Sequence, residues 1–253
     1  MKVLSIINQK GGVGKSTTAL AVGAGLTNKG YKALFIDLDP QGNLSYTLQA
    51  YAKGYGVAGI LERPETAAEE IQHTEKGDII ASTPTLAGAD TFITETGKEY
   101  RLKEALNTIA NKYDFCIIDT PPALGILTIN ALTASSGAII PTQADVYSLQ
   151  GIAQLAKTIE TVKKYCNSDL SILGIVITRF NKRTIIKREI AEVLKEKAKA
   201  LNTRLYNSYI RECTAIVEAQ ALRKSIYEYA PKSNGSLDYK ALVNEILRKE
   251  KAK

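Results

Sequence analysis

The first 30 residues place an apolar segment, a glycine-rich turn and a helical pattern next to one another. KVLSIIN (2–8) is almost continuously apolar and predicts a buried strand, and TTALAVGAGLTNKG (17–30) has apolar residues at helical spacing. Between them, QKGGVGKST (9–17) nearly fits the pattern G-x-x-x-x-G-K-[ST], with Gln9 in the first glycine position and Lys10 after it. Since such a loop needs a strand before it and a helix after it, this feature restricts the chain to an α/β fold.

Strand and helix patterns continue to alternate along most of the 253 residues. A second long helical pattern covers LQGIAQLAKTIETVKKY (149–165). We predict a single domain over residues 1–253, with a mostly parallel, doubly wound sheet and helices on both faces. In such a fold, ligands bind at the carboxyl ends of the strands. The predicted strands are 2–8, 31–39, 78–83, 114–120, 137–143 and 171–180.

The glycine-rich turn has the residue types that hold a nucleotide polyphosphate. Its glycines permit unusual dihedral angles and bring N–H groups toward phosphate oxygens, and the following helix adds its positive end. Lys15 is expected to reach the β- and γ-phosphates, Ser16 to bind Mg²⁺ and Thr17 to bond an inner phosphate. The loop residues predicted to contact the nucleotide are Gly11, Gly12, Val13, Gly14, Lys15, Ser16 and Thr17.

Three aspartates stand at the ends of two predicted strands. YKALFIDLDPQGN carries Asp37 and Asp39 at its tip, and DFCIIDTPP carries Asp119. A single acid at a strand end is usually a cap or a loop residue, but three beside a phosphate loop indicate a metal site. Such carboxylates hold Mg²⁺ or its waters and orient an attacking water.

The segments KGGVGKST, DLDPQGN and IIDTPPALG, in this order and spacing, resemble the ParA/Soj family of partition ATPases. The resemblance continues through IIPTQADVYSLQGIAQL, GIVITRFNKRT, IRECTAIVEAQ and YAPKSNGSLDYKAL, and so covers essentially the whole chain. It implies a P-loop NTPase of the deviant Walker A type that uses ATP and Mg²⁺. It also implies an ATP-dependent sandwich homodimer that binds double-stranded DNA without sequence preference. A ParB-like protein then stimulates hydrolysis and resets the cycle, in the cytoplasm and on the nucleoid.

The resemblance also gives residues their roles. Lys10 matches the family's signature lysine, which crosses the dimer interface to the nucleotide phosphates of the other subunit, much as an arginine finger acts in trans. Asp37 is implied to be a second-sphere or switch residue, in one mobile loop with Gln41 and Asn43. The family's pattern assigns catalysis to Lys10, Lys15 and Asp39, and metal binding to Ser16, Asp39 and Asp119.

Two parts of the chain depart from common family patterns. Many relatives carry a proline-bearing segment near the adenine where this chain reads IREC (210–213), and we expect adenine contacts from Thr178, Arg211 and Cys213. Larger members carry an N-terminal helix-turn-helix domain for operator DNA. This chain starts at its first strand, so we expect no such domain and no sequence-specific autorepression.

The net charge of +7 is concentrated in residues 181–253, which carry 17 Lys/Arg against 9 Asp/Glu. This asymmetry fits a polyanionic partner, although an ordinary solvated lysine-rich surface remains an alternative. In the predicted helix at 181–200, one face is expected to carry Ile186, Ile190, Val193, Leu194 and Ala198. The candidate contacts to DNA phosphates are Lys182, Arg183, Lys187, Arg188, Arg204, Arg223 and Lys224.

A MinD-like membrane ATPase is the main alternative within the same fold. The tail LDYKALVNEILRKEKAK (237–253) has an apolar side and a basic end, as a membrane-surface helix would. It has no Phe or Trp anchor, and acidic residues dilute its charge, so we expect it to pack on the domain. The apolar side is Leu237, Leu242, Ile246 and Leu247, and the basic end is Arg248, Lys249, Lys251 and Lys253.

The three cysteines disfavour further classes of protein. Cys116, Cys166 and Cys213 are far apart and form no CxxC pair, which fits a reducing cytoplasm and not a disulfide framework or an iron–sulfur relative. A non-catalytic DNA-binding protein is another alternative, and the retained Lys15 and Asp39 disfavour it.

Overall fold

The computed structural model describes residues 1–52 and 54–251, and at 249–251 the backbone alone. The strands are β1 (Lys2–Ile6), β2 (Ala33–Asp37), β3 (Ile71–Thr74), β4 (Gly77–Ile80), β5 (Phe115–Asp119), β6 (Gly137–Gln143) and β7 (Ser171–Thr178). They form one sheet in the order β3-β4-β2-β5-β1-β6-β7. Within the described residues the neighbouring strands are parallel, except that β3 and β4 are antiparallel. The predicted α/β fold is confirmed.

Helices cover both faces of this sheet. They are α1 (Lys15–Thr27), α2 (Asn43–Thr47), α3 (Gly56–Glu62), α4 (Ala89–Phe92), α5 (Arg101–Thr108), α6 (Ile126–Ala134), α7 (Val146–Tyr165), α8 (Ile185–Ala200), α9 (Thr214–Ala221), α10 (Ile226–Tyr229) and α11 (Asn234–Lys251). Short 3-10 turns lie at Pro64–Ala68, Pro84–Gly88 and Lys98–Tyr100.

Alternation along the central strand β1 explains the two layers of helices. Leu4 and Ile6 pack in the core that contains residues of α1 and α11, and Val3 packs in the opposite core with α3 and α5. Helix α1 approaches β2 closely at Gly23, where a Cβ atom would overlap the ring of Phe35. Burial on both faces accounts for the almost continuous apolar character of these strands.

The sequence did not predict strand β3, and one helical face was predicted incorrectly. The β3 sequence IQHT has no apolar run. This edge strand pairs with β4 alone, in antiparallel orientation, within the described sheet. In α8, Ile190 and Leu194 are buried as expected, but Ile186 and Val193 are 55% and 44% exposed. At 100° per residue the buried face is centred on the positions near Leu194, so Ile186 and Val193 fall at its rim.

The C-terminal helix α11 packs on the domain, as predicted. Tyr239, Leu242 and Ile246 are buried in the core beside α1, whereas Leu237 is 50% exposed and Leu247 is half-buried. Most of the predicted basic end falls outside the described part of the chain. This holds for Lys253 as a whole and for the side chains of Lys249 and Lys251. In the part of the chain that the structure describes, no helix has both the length and the apolar character needed to span a bilayer.

Candidate active site

The glycine-rich loop connects β1 to α1 and forms an open cradle. Gly12 and Gly14 have φ angles of 72° and 89°, in the left-handed region that favours glycine. A Cβ atom added at Gly11 or Gly12 would meet no atom within 4 Å, so the space in front of the loop is free. No side chain caps α1, which leaves the positive end of its dipole facing this space.

Neighbouring strands support the loop from behind. The Thr178 hydroxyl donates to the carbonyl oxygens of Val13 (2.8 Å) and Thr142 (3.1 Å), and the Gln143 side-chain amide donates to the carbonyl of Gly12 (3.1 Å). We predicted Thr178 as an adenine contact. Its one hydroxyl proton is shared between two backbone carbonyls, so the hydroxyl positions the phosphate loop. Thr178 also lines a cavity beside the loop together with the other two predicted adenine contacts, and its own contact with adenine stays a prediction.

Lys15 is buried at the floor of the cradle. Only 7% of the residue is exposed, and its ammonium lies 3.4 Å from the carbonyl oxygen of Lys10. Burial lowers the pKa of Lys15, and the negative charges of Asp119 and Asp39 partly oppose this effect. A buried cation in this position would gain strongly from a phosphate partner.

Asp37 anchors the loop that follows β2. Its carboxylate accepts from the backbone N–H (2.8 Å) and hydroxyl (2.7 Å) of Ser45 and from the N–H of Asp39 (3.2 Å). Burial raises the pKa of Asp37 to about 6, although the hydrogen bonds from Ser45 act in the opposite direction. This carboxylate therefore fixes the course of the loop and is not free for a ligand.

Asp39, unlike Asp37, lies at the open space in front of the glycine-rich loop. Among the described residues its carboxylate accepts the N–H of Gln41 alone (3.0 Å), and its carbonyl accepts the hydroxyl of Ser82 (2.6 Å). Asp39 lines a cavity of about 680 Å³, which we call the phosphate cleft. Other residues that line the phosphate cleft include Gly11, Gly12, Lys15, Ser16 and Asn43.

Asp119 is fully buried at the carboxyl end of β5. In the parallel register it lies opposite Asp37 on one side and Ile6 on the other. Burial raises the pKa of Asp119 well above its usual range, as does the negative charge of Asp37, while the nearby Ser16 hydroxyl favours the charged form. Neither carboxylate oxygen has a hydrogen-bond partner among the described residues.

This orphaned carboxylate is the feature that best fits a divalent cation. With Ser16 and Lys15 nearby but no direct hydrogen bond from the described residues to either oxygen, burying this carboxylate remains costly, and an oxygen-seeking cation such as Mg²⁺ would satisfy it. The described residues contain no cluster of three or more His, Cys, Asp and Glu side chains arranged to hold a metal. Ser16, Asp39 and Asp119 could hold Mg²⁺ only together with phosphate oxygens and waters, as is usual for this ion.

Lys10 lies at the rim of the cradle and is paired within its own chain. Its ammonium is 2.6 Å from Asp145, and the side chains of both residues are 32% exposed. Asp145 also caps α7 by accepting the N–H of Ser148 (2.9 Å). Although burial acts to raise it, the pKa of Asp145 is held below its usual value by the hydrogen bonds from Lys10 and Ser148. The signature cation therefore remains partly accessible from outside.

A second cavity, of about 320 Å³, adjoins the phosphate cleft and is called here the base-side pocket. Arg211 and Cys213, predicted as adenine contacts, both line it. The guanidinium of Arg211 is held by both carboxylate oxygens of Asp238 at 2.6 to 3.2 Å. Arg211 is thus a fixed wall of this pocket, and Cys213 is half-buried at the N-cap of α9.

Sequence reasoning missed several residues of this region. Arg179 lines both cavities and has a φ of 49°, which is unusual for a residue with a Cβ atom. The Gln220 amide donates to the Thr17 hydroxyl at 2.6 Å and ties α9 to the start of α1. Asp145 had a visible signal, since an aspartate at the start of a helical pattern is a typical N-cap.

The basic residues predicted to contact DNA fall into two groups. Lys182, Arg183, Arg188 and Lys224 are exposed, and the Lys182 ammonium lies 4.6 Å from the ring centre of Tyr209. The other three are partly buried: the Lys187 ammonium donates to the carbonyl of Arg179 (3.0 Å), the Arg204 guanidinium to the carbonyl of Glu245 (3.2 Å), and Arg223 stacks on Tyr46.

Comparisons with known proteins agree with this geometry. The family described as "AAA domain" matches residues 1–172. The chain is 39% identical over 250 residues to the sporulation initiation inhibitor protein Soj of Bacillus subtilis (strain 168), covering 97% of this chain and 98% of that protein.

Two solved structures resemble the whole chain. One is a putative plasmid partition protein from Borrelia burgdorferi bound to AMPPNP, with 25% identity, a TM-score of 0.84, and coverage of 98% of this chain and 99% of that one. The other is cobyrinic acid a,c-diamide synthase from Mycobacterium smegmatis with an ATP analogue and magnesium. It has 31% identity and a TM-score of 0.84, and the match covers 100% of this chain and 96% of that one. With a phosphate loop, strand-end aspartates and full-length relatives of this kind, the chain belongs to the ParA/Soj family of partition ATPases.

Proposed function

We propose that this protein is an ATP-dependent DNA partition ATPase that switches between a monomer and a DNA-binding dimer. The observation that carries the proposal is the arrangement around the open cradle. Lys15 and Asp39 line the phosphate cleft, Asp119 is buried next to Lys15 and Ser16, and Lys10 lies at the rim of the cradle. The nucleotide complexes of the structural neighbours support ATP and Mg²⁺ as the ligands of this site.

The chain's own residues divide the work of hydrolysis. Lys15 would bind the β- and γ-phosphates, and Ser16, Asp39 and Asp119 would hold the metal, which when bound neutralises charge on the phosphates. Asp39 lines the phosphate cleft and its carboxylate accepts the N–H of Gln41, which leaves acceptor capacity, so it would also orient the attacking water.

Lys10 would connect hydrolysis to dimerisation. Its ammonium is one-third exposed and bound to a single carboxylate, so a more highly charged triphosphate of a second subunit could replace Asp145 as its partner. A cation supplied in trans would make the sandwich homodimer dependent on ATP, because ADP lacks the γ-phosphate.

The dimer would then bind double-stranded DNA without sequence preference. The exposed cations Lys182, Arg183, Arg188 and Lys224 are suited to phosphate contacts, which carry no sequence information. Dimerisation doubles the number of these contacts, so avidity converts ATP occupancy into DNA binding. A ParB-like protein would stimulate hydrolysis and release the DNA, in the cytoplasm and on the nucleoid.

The other functions considered have less support from the chain. A membrane-surface role would need an unpacked apolar helix, but Leu242 and Ile246 of α11 are buried. The cobyrinic acid a,c-diamide synthase shares the fold and a nucleotide site with this chain. We favour partition because the Soj relative has the higher identity over almost the same length.

ATP turnover and molecular mass would test the proposal together. Wild-type protein should hydrolyse ATP, and Asp39→Ala should lose turnover while light scattering shows a dimer with ATP and a monomer with ADP. Lys15→Ala should show neither activity nor dimer. A wild type without ATP turnover, or with the same mass in ATP, ADP and no nucleotide, would contradict the proposal.

A further inference from the structure

Arg223 makes an unusual set of contacts for a residue in a surface turn. Its guanidinium carbon lies 4.1 Å from the ring centre of Tyr46, and one of its nitrogens donates to the Tyr51 hydroxyl at 3.2 Å. Its φ of 54° is disfavoured for a residue with a Cβ atom. A cation stacked on one tyrosine and hydrogen-bonded to another holds a defined position.

Tyr46 belongs to the segment that follows the catalytic aspartate. The Gly42 N–H donates to the Asp39 carbonyl (2.9 Å), and the Tyr46 N–H donates to the Gly42 carbonyl (2.8 Å). Helix α2 therefore continues directly from the turn that carries Asp39. Tyr46 itself lines the phosphate cleft. A force that moves α2 would consequently move Asp39.

Arg223 comes from a different segment that borders the same cleft. It follows helix α9, whose residues Gln220 and Ala221 line the phosphate cleft, as Tyr46 of α2 does. Gln220 in turn holds Thr17 at the start of α1 through a 2.6 Å hydrogen bond. The Arg223–Tyr46 pair thus joins two segments that both border the phosphate cleft.

Lys76, in the turn between β3 and β4, strengthens this junction. Its ammonium hydrogen-bonds the carbonyl oxygen of Arg223 and lies 3.4 Å from the carbonyl oxygen of Thr47, the last residue of α2. One lysine therefore connects the end of α2 to the backbone of Arg223. Three separate segments of the chain meet at this point.

We propose that Arg223 is a positioning residue for ATP hydrolysis, which by stacking on Tyr46 holds α2 and the Asp39 turn against the phosphate cleft. This inference rests on the proposed ATPase function. It removes Arg223 from the set of DNA contacts predicted from charge, because the guanidinium is already engaged by two tyrosines. The basic residues that remain for DNA are the exposed Lys182, Arg183, Arg188 and Lys224.

Steady-state kinetics would test the role of the pair. Arg223→Ala should lower kcat roughly tenfold with the KM for ATP changed less than about twofold, as expected for a contact that positions the reaction and not the substrate. Arg223→Lys should restore part of the activity, because it keeps a cation but loses the planar fork. Tyr46→Phe should keep more activity than Tyr46→Ala, because the ring on which Arg223 stacks is retained.

A double-mutant cycle and a matched control would separate the pair from general damage. Tyr46→Ala should resemble Arg223→Ala, and the double variant should be no worse than either, because both remove one interaction. Arg63→Ala is the control, since Arg63 stacks on Tyr55 (5.8 Å) in another exposed arginine–tyrosine pair. It should behave as wild type.

Hydrogen exchange of residues 39–47 gives a readout that does not depend on hydrolysis. Arg223→Ala should raise amide exchange in this segment several-fold in the nucleotide-free protein, and Arg63→Ala should not. Unchanged exchange, unchanged kcat or additive effects of the two alanine variants would each overturn the positioning role. Normal turnover with a weaker salt dependence of DNA binding would instead make Arg223 a DNA contact. A wild type without turnover would refute the ATPase function alone, and the exchange result would still decide the inference.

Discussion

Asp37 and Asp39 are two positions apart in one motif, yet the structure gives them different tasks. The carboxylate of Asp37 is satisfied by the Ser45 N–H and hydroxyl, whereas that of Asp39 faces the phosphate cleft. The sequence predicted that both lie at the end of one strand. It could not show which carboxylate is free, because that depends on Ser45 of α2, which folds back eight residues later in the chain.

Alanine substitutions should separate these two tasks. Asp37→Ala leaves the buried donors of Ser45 without a partner and should lower the free energy of unfolding by about 2 kcal/mol. Asp39→Ala should change it by less than about 1 kcal/mol and abolish ATP turnover. Urea unfolding and an ATPase assay on both variants check this. Equal destabilisation by the two substitutions would contradict the division of roles.

Lys10 was assigned from the family pattern, and the contact that it makes within its own chain was not predicted. Lys10→Ala should weaken ATP-driven dimerisation and turnover, while the monomer keeps its affinity for nucleotide within about threefold, because Lys15 remains in the cradle. Fluorescent-nucleotide titration and light scattering measure the two effects separately. ATP turnover equal to that of the wild type would remove Lys10 from catalysis.

The Lys10–Asp145 pair should also give stability a modest dependence on pH. Because the pKa of Asp145 is depressed in the folded state, the contribution is present above its ordinary value of 3.8 and is lost as the pH falls through the folded value. Asp145→Asn should cost less than about 1 kcal/mol at neutral pH, since both side chains are partly exposed. The difference from wild type should shrink as the pH falls below 3.8 and disappear once Asp145 is protonated in the folded protein. A difference that persists then would indicate that capping of α7, and not the ion pair, stabilises this region.

At the scale of elements, helix α8 shows what hydrophobic periodicity can and cannot predict. It located α8 and its buried Ile190 and Leu194, but Ile186 and Val193 lie at the rim of that face. It also could not show that Lys195 pairs with Glu192 and Lys199 with Glu196 along the helix. Part of the positive charge of α8 is therefore balanced locally, and among the described residues of this region the exposed cations without an acidic partner lie near its start.

This distribution predicts which cations act on DNA. Removing Arg183 and Arg188 together by alanine substitution should weaken binding to unrelated duplexes equally and reduce the slope of log K against log salt by about 3 to 4 for the dimer, because each subunit loses two cations. Lys195→Ala is a matched control that should leave the slope almost unchanged, because its charge is paired with Glu192. Affinities measured at several salt concentrations provide the slopes. Equal slopes for all variants would exclude the start of α8 from the DNA surface.

At the scale of the molecule, the order of strands explains why distant motifs form one site. β1, β2 and β5 are adjacent and parallel, so their carboxyl ends bring the phosphate loop, Asp39 and Asp119 together. The sequence predicted this convergence because it needs only strand polarity. It could not predict contacts made by loops, such as Arg223 on Tyr46, since these depend on the left-handed turn at Arg223 and on the position of α9.

The central claim is that ATP switches this protein onto DNA. The most direct measurement is binding to unrelated duplex DNA with ATP, ADP or no nucleotide at two salt concentrations, with anionic liposomes in parallel samples. The account predicts binding to DNA only with ATP, weakened by salt, and no binding to liposomes. Binding to DNA that is the same in all nucleotide states, or binding to liposomes alone, would contradict it.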